Sequence, residues 1–236
     1  MYKNALVVSI IFLTSCGNDV INQDVSIESD NSVDWSNTNS CKSTVDSDFI
    51  NTLIKNMTLE QKVGQIIMPD IDEVTPMQAK EYFLGSFLNG GGKFPNKNKN
   101  SSIDDWKELS KAYYNASPVV DDTVIPILWG TDAVHGHNNV IGATIFPHNI
   151  GLGCTFDEDI VYKVSKATAK EVTATGIDWN FAPCLSIPQD PRWGRYYEGF
   201  SEDPELVSKL GVAAIKGYQN TVGGKYSIAA CAKHFL

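Results

Sequence analysis

From residue 46 onward, the apolar positions fall into two spacings that take turns along the chain. Phe49, Leu53 and Ile54 recur at helical spacing and predict one apolar helix face. Thr58–Gln61 and Thr75–Gln78 each have a threonine followed three residues later by glutamine. Both predict a capping box, in which threonine takes a backbone N–H and glutamine reaches back to the cap. Pro76 at the first helical position strengthens the second, whose helix is expected to end at Gly85. Ser102 opens a helix to about Ala116, Glu158–Thr175 a long amphipathic one stopped by Gly176, and Pro204–Asn220 another. Between them lie short continuous apolar runs: Val63–Met68, Ser86–Leu88, Ile125–Trp129, Ile177–Ala182 and Ser227–Ala232. The run at Ser86 leads into Gly90-Gly91-Gly92, a loop expected to need unusual backbone angles.

Apolar strands separated by helices imply a parallel sheet covered on both faces. The fold class is therefore α/β, with a doubly wound sheet and a (β/α)8 TIM barrel both compatible. Five strands are predicted, whereas a barrel has about eight in about 250 residues. The sequence stops at Phe235-Leu236, just past a strand, with no helix to follow. The expectation is a barrel incomplete at its C-terminus, short of about three strand–helix units.

Polar residues gather where these strands end. Ile125–Trp129 runs into Asp132, His135 and His137; Ile177–Ala182 into the long loop Pro188–Glu198 with Arg192, Trp193 and Arg195; Ser227–Ala232 into Lys233-His234. The carboxyl ends of parallel strands form the ligand face of such folds. Asp132, Arg195, Lys233 and His234 are thus expected to converge. One acid, two bases and an imidazole suit a neutral polyol, because a site with buried polar groups rejects ligands that leave them unpaired. Duller roles are open to several of them: Asp132 as a helix cap, Arg195 with Glu198 as a loop brace, Arg192 as structure and Trp193 as loop packing. Lys233 is harder to dismiss, since a lysine closing an apolar strand is either buried or at a site.

The first residues differ from the rest. Lys3 precedes the apolar run Ala5–Leu13, which is too short to span a bilayer. Leu13-Thr14-Ser15-Cys16 then matches a bacterial lipobox, making residues 1–15 a signal peptide and Cys16 a lipidated N-terminus; a plain signal peptide with Cys16 incidental is the alternative. Residues 16–47, rich in Asn, Asp and Ser, predict a flexible linker before a barrel domain over 48–236. The expected location is that of a secreted lipoprotein in the periplasm, outer membrane or cell surface, with Cys16 its only membrane attachment.

Net charge is −9, which disfavours nucleic acid and anionic lipid as partners. With Cys16 set aside, four cysteines remain; Cys154, Cys184 and Cys231 sit in apolar surroundings and are expected to be buried free thiols. His135-x-His137 with His148 nearby would also suit zinc, which keeps a metal-dependent amidohydrolase open. No cofactor or metal is expected on the main reading.

Three long segments carry a resemblance. GTDAVHGHNNVIGATIFPHNIGLG, FAPCLSIPQDPRWGRYYEGFSEDP and AACAKHF, in that order, resemble the N-terminal barrel of family-three glycoside hydrolases, nearest the β-glucosidase and exo-β-glucanase branch. NMTLEQKVGQ and FLNGGGKFP fit it too. The resemblance implies a retaining glycosidase that releases glucose from β-glucosides, with Asp132, Arg195, Lys233 and His234 around the sugar. It implies an aspartate nucleophile and a glutamate acid/base beyond residue 236, so no catalytic residue is assigned here and the 236 residues alone are expected to be inactive. The absence of Pro-Gly after Lys-His-Phe favours the glucosidase branch over the related N-acetylglucosaminidases. A carbohydrate-binding lipoprotein without catalysis is the other alternative.

Overall fold

The computed structural model describes residues 47–221 and 223–234. The predicted signal peptide, Cys16, the linker up to residue 46 and Cys41 lie outside them. Helices α1 (Ser47–Asn56), α2 (Leu59–Gln65) and α3 (Pro76–Glu81) come first, then strand β1 (Ser86–Asn89) and α4 (Ile103–Asn115). The hairpin β2 (Val119–Val120) and β3 (Thr123–Val124) precedes β4 (Leu128–Thr131). There follow α5 (Asn149–Gly153), α6 (Glu158–Ala174), β5 (Trp179–Asn180), α7 (Pro204–Gln219) and β6 (Ala229–Ala230).

The strands β1, β4, β5 and β6 form one parallel sheet in that spatial order. A doubly wound sheet reverses its order at a switch point. Here each strand lies beside the next of the series, with α4, α6 and α7 in the three crossovers. This is the winding of a TIM-barrel-like α/β fold, with four parallel strands among the described residues. Val63–Met68 is not among them. Val63 belongs to α2, and the chain touches β1 only through a single bridge, Asp70 to Leu88. The capping box at Thr58 takes residues 63–65 into a helix that closes at Ile66, and the rest of the run leaves it as a turn with Ile66 84% exposed. The predicted strand at residue 125 starts three residues later, because Ile125 closes the antiparallel hairpin against Pro118 instead.

Both predicted capping boxes form, at Thr58 and Thr75, and Ser102, expected to open a helix, caps it in the same way with Asp105 as the reaching partner. The helix at Pro76 closes at Glu81, short of Gly85. Gly176, at φ +81, ends α6 in the left-handed region where a side chain would be strained. Of the three glycines after β1, only Gly92 has a positive φ.

The core is aromatic on one side and small on the other. Phe87 of β1 stacks on Tyr113 of α4 at 3.9 Å, and Trp106 of α4 lies 5.8 Å from Trp129 of β4. Along α7, Leu210, Ala214 and Gly217 are buried, and a Cβ on Gly217 would sit 2.5 Å from the Tyr162 carbonyl of α6. The two helices therefore approach backbone to backbone. Of the α1 face, only Leu53 is buried, against Val120 and Ile125. Cys184 is buried as expected, but Cys154 is exposed at the end of α5, and Cys231 is intermediate; all three are free thiols. Among the described residues, no helix is long and apolar enough to cross a membrane.

Candidate functional site

The carboxyl ends of β4, β5 and β6 bring together the four residues singled out from the sequence. Thr131 ends β4 at 0% exposure, so the next residue, Asp132, leaves the sheet at its rim. Its backbone neighbour Ala133 is gripped by Asn180 of β5. The Asn180 carbonyl oxygen accepts from Ala133 N, and its amide donates to Ala133 O, both at 2.9 Å. Asn180 is fully buried, so this side chain works as a rigid peg that sets where Asp132 emerges. Lys233, just past the end of β6, lies across from it. Its Nζ donates to Asp132 Oδ1 at 2.9 Å, with side-chain exposures of 14% and 35%. A lysine so deeply placed needs a counter-charge, and Asp132 supplies it.

The second pair lies beside the first. Arg195 comes from the long loop after β5 and donates from Nε and Nη2 to both oxygens of Glu198, at 2.6 Å and 2.7 Å. The same Nη2 lies 2.9 Å from His234 Nε2. The other ring nitrogen, Nδ1, faces Ser186 Oγ at 3.4 Å and Cys184 Sγ at 3.8 Å. Hydrogen bonds from Arg195 hold the Glu198 carboxyl below its ordinary pKa, and Glu198 in turn raises that of Arg195. Burial first, then the Arg195 and Lys233 charges, lower that of His234. These shifts favour a charged Arg195–Glu198 pair beside a neutral imidazole.

The three histidines weighed as zinc ligands do not converge. His135 and His148 lie 4.0 Å apart with their rings tilted by 34°, and His148 meets Tyr197 edge-on at 4.6 Å. His137 turns the other way, 1% exposed, with Nε2 2.9 Å from Thr175 Oγ1 at the end of α6. Thr175 donates its own hydroxyl proton to Val172 O at 2.7 Å, so it accepts from His137. Burial pushes the His137 pKa down to about 4. Among the described residues, no group of three or more His, Cys, Asp or Glu side chains is placed to hold a metal ion.

Arg192 pairs with Asp190 at 2.5 Å on the exposed tip of the loop, away from the cluster, and Trp193 is 39% exposed. Sequence reasoning missed Asn180 and the anchoring role of His137. The available signal for Asn180 was an amide inside an otherwise apolar strand, a position that demands a partner.

Residues 58–236 match the family model described as the glycosyl hydrolase family 3 N-terminal domain. Over 210 residues the chain is 35% identical to a lysosomal beta glucosidase of Dictyostelium discoideum, covering 80% of this chain and 25% of that protein. It is 30% identical to a periplasmic beta-glucosidase of Salmonella typhimurium, covering 79% and 23%. Among solved structures, an exo-1,3/1,4-beta-glucanase from a Pseudoalteromonas species is 46% identical with a TM-score of 0.74, covering 80% of this chain and 24% of that one. The chain thus spans about a quarter of the length of the relatives it matches.

Proposed function

The chain belongs to glycosyl hydrolase family 3, and from that premise we propose that it builds the sugar-gripping wall of a retaining β-glucosidase or exo-β-glucanase. The reaction is release of glucose from the non-reducing end of a β-linked glucoside. The observation that carries this reading is the Asp132–Lys233 pair set beside Arg195–His234 at one rim of the parallel sheet. Sugar hydroxyls both donate and accept, so their recognition needs an anionic acceptor next to cationic donors. Asp132 has a second carboxylate oxygen beyond the one on Lys233, and Arg195 is half exposed, so both offer groups to a ligand. The substrate class is supported by the three relatives, all named for β-linked glucose polymers or glucosides. The attacking and protonating carboxyl groups of a retaining enzyme stand roughly 5 Å apart. We assign neither to a residue of this chain, and look for them in the three-quarters of the relatives' length that it does not span.

Asp132→Asn in the full-length enzyme tests the reading. A charged hydrogen bond to a sugar hydroxyl contributes about 1.5–3 kcal/mol, so kcat/KM on an aryl β-glucoside should fall by one to two decades. The melting temperature should hardly move. Wild-type turnover together with lost stability would instead make Asp132 a structural partner of Lys233 only.

The same proposal places residues 1–15 as a signal peptide, Cys16 as the lipidated attachment, 16–47 as a tether and 48–236 as the barrel segment. Support comes from Leu13-Thr14-Ser15-Cys16 after a short apolar run, and from one relative named as periplasmic. Labelled palmitate should enter the wild type expressed in a bacterium and not Cys16→Ser. No label in either would leave an ordinary secreted protein.

A further inference from the structure

Glu198 holds together the pair on which the sugar rim depends. Its fork with Arg195 uses Nε and one of the two hydrogens on Nη2. The second Nη2 hydrogen is left for His234 Nε2, 2.9 Å away. A guanidinium donates and never accepts, so Nε2 must carry the lone pair. The ring proton then sits on Nδ1, where Ser186 Oγ at 3.4 Å is the nearest acceptor. An imidazolium here would set N–H against N–H. We propose that Glu198 is a positioning residue that, through Arg195, fixes His234 as the neutral, Nδ1-protonated tautomer.

The surroundings make the fork rigid. The Glu198 side chain is only 13% exposed, whereas that of Arg195 is 49% exposed, so the carboxylate is the fixed end and the guanidinium the part being held. The backbone of Glu198 is itself fastened, its carbonyl accepting from the buried Asn149 amide at 2.8 Å. The charged groups facing His234 are Arg195 and Lys233, which disfavour its protonation, and Glu198 and Asp132, which favour it. Without the Glu198 fork, Arg195 is free to swing into solvent, and the donor that forbids a proton on Nε2 leaves with it. His234 would then populate both tautomers and take up a proton more readily. The tautomer assignment stands on geometry alone; its consequence for substrate rests on the sugar-pocket reading above.

The test uses the full-length enzyme carrying 15N-labelled histidine, with the His234 signals identified by their loss in His234→Gln. Between about pH 6 and pH 8 the wild type should show a protonated Nδ1 and a bare, hydrogen-bonded Nε2. Glu198→Gln has one acceptor oxygen and an NH2 that opposes the arginine, so its spectrum should show mixed tautomers and titration within that range. Arg195→Lys, which keeps charge without the fork, should do the same. In Glu198→Gln, KM for an aryl β-glucoside should rise about tenfold with a smaller change in kcat, the scale of one weakened hydrogen bond. A protonated Nε2 in the wild type, or an unchanged tautomer in folded Glu198→Gln, overturns the relay. If Glu198→Gln does not fold, the wild-type spectrum and Arg195→Lys decide. A tautomer change with unaltered KM would uphold the relay and sink the sugar-pocket reading, so the two failures are distinguishable.

Discussion

The loops after β4 and β5 bring Asp132 and Arg195 to the candidate site, and they are held by different physics. Residues 132–140, after β4, are packed down: Ala133, His137, Asn139 and Val140 are buried, pegged by Asn180 and Thr175. Residues 189–195, after β5, are exposed throughout and rely on Arg192–Asp190 and Arg195–Glu198 ion pairs. Asp132 is therefore placed by burial and Arg195 by charge. Burial costs desolvation, so losing the Asn180 bonds that satisfy Ala133 is expensive here, the more so because Thr131 Oγ1, His137 Nδ1 and Asn139 Nδ2 are already buried without a protein partner among the described residues. In the exposed loop the same loss is cushioned by water and salt.

The comparison breaks most visibly at Asn180. Asn180→Ala leaves both the N–H and C=O of Ala133 unpaired in a dry site, at about 4 kcal/mol. The full-length protein should melt several degrees lower by calorimetry and lose the proposed glucosidase activity with it. An unchanged melting temperature would mean that the peg is dispensable and the first loop is held some other way.

A smaller effect follows from His137. Its folded pKa of about 4 lies below the ordinary 6.5, so the unfolded chain binds the proton more readily. Well above pH 6.5 the group is neutral in both states and contributes nothing to pH dependence. As pH falls from about 6.5 towards 4, the native state is progressively disfavoured, by up to about 3 kcal/mol. Melting curves over that window should therefore slope downward with acid. His137→Gln, which can still donate to Thr175, should flatten the slope. An equal slope in both proteins would remove His137 as the cause.

The smallest effect sharpens the contrast. Arg192 is 89% exposed in its pair with Asp190, so Arg192→Ala should leave the melting temperature and turnover essentially unchanged. A loss of kcat/KM in that variant would show that the tip of the exposed loop reaches substrate.

Much of the architecture was legible in the chain because its signals are local. A capping box acts only on its own helix, and those at Thr58, Thr75 and Ser102 form. The strand at Val63–Met68 misled because apolar runs of that length suit a helix end as well as a strand, and the Thr58 cap decided for the helix. Cys154 was misjudged for a related reason: apolar neighbours in sequence need not be neighbours in space, and it ends α5 facing outward.

From the sequence by itself came the α/β class, the helix starts and the four polar residues at strand ends, since strand polarity alone puts those ends on one side. Tertiary structure decided what those residues do to one another. Asp132 meets Lys233 across 101 positions, and Arg195 meets His234 across 39. Only the sheet order β1-β4-β5-β6, with its successive helical crossovers, determines which strand ends become neighbours. The roles of Asn180, His137 and Glu198 belong to the same category. Each acts by satisfying a polar group distant in the chain or presented by a loop, and that demand exists only after folding has removed the water that would otherwise meet it.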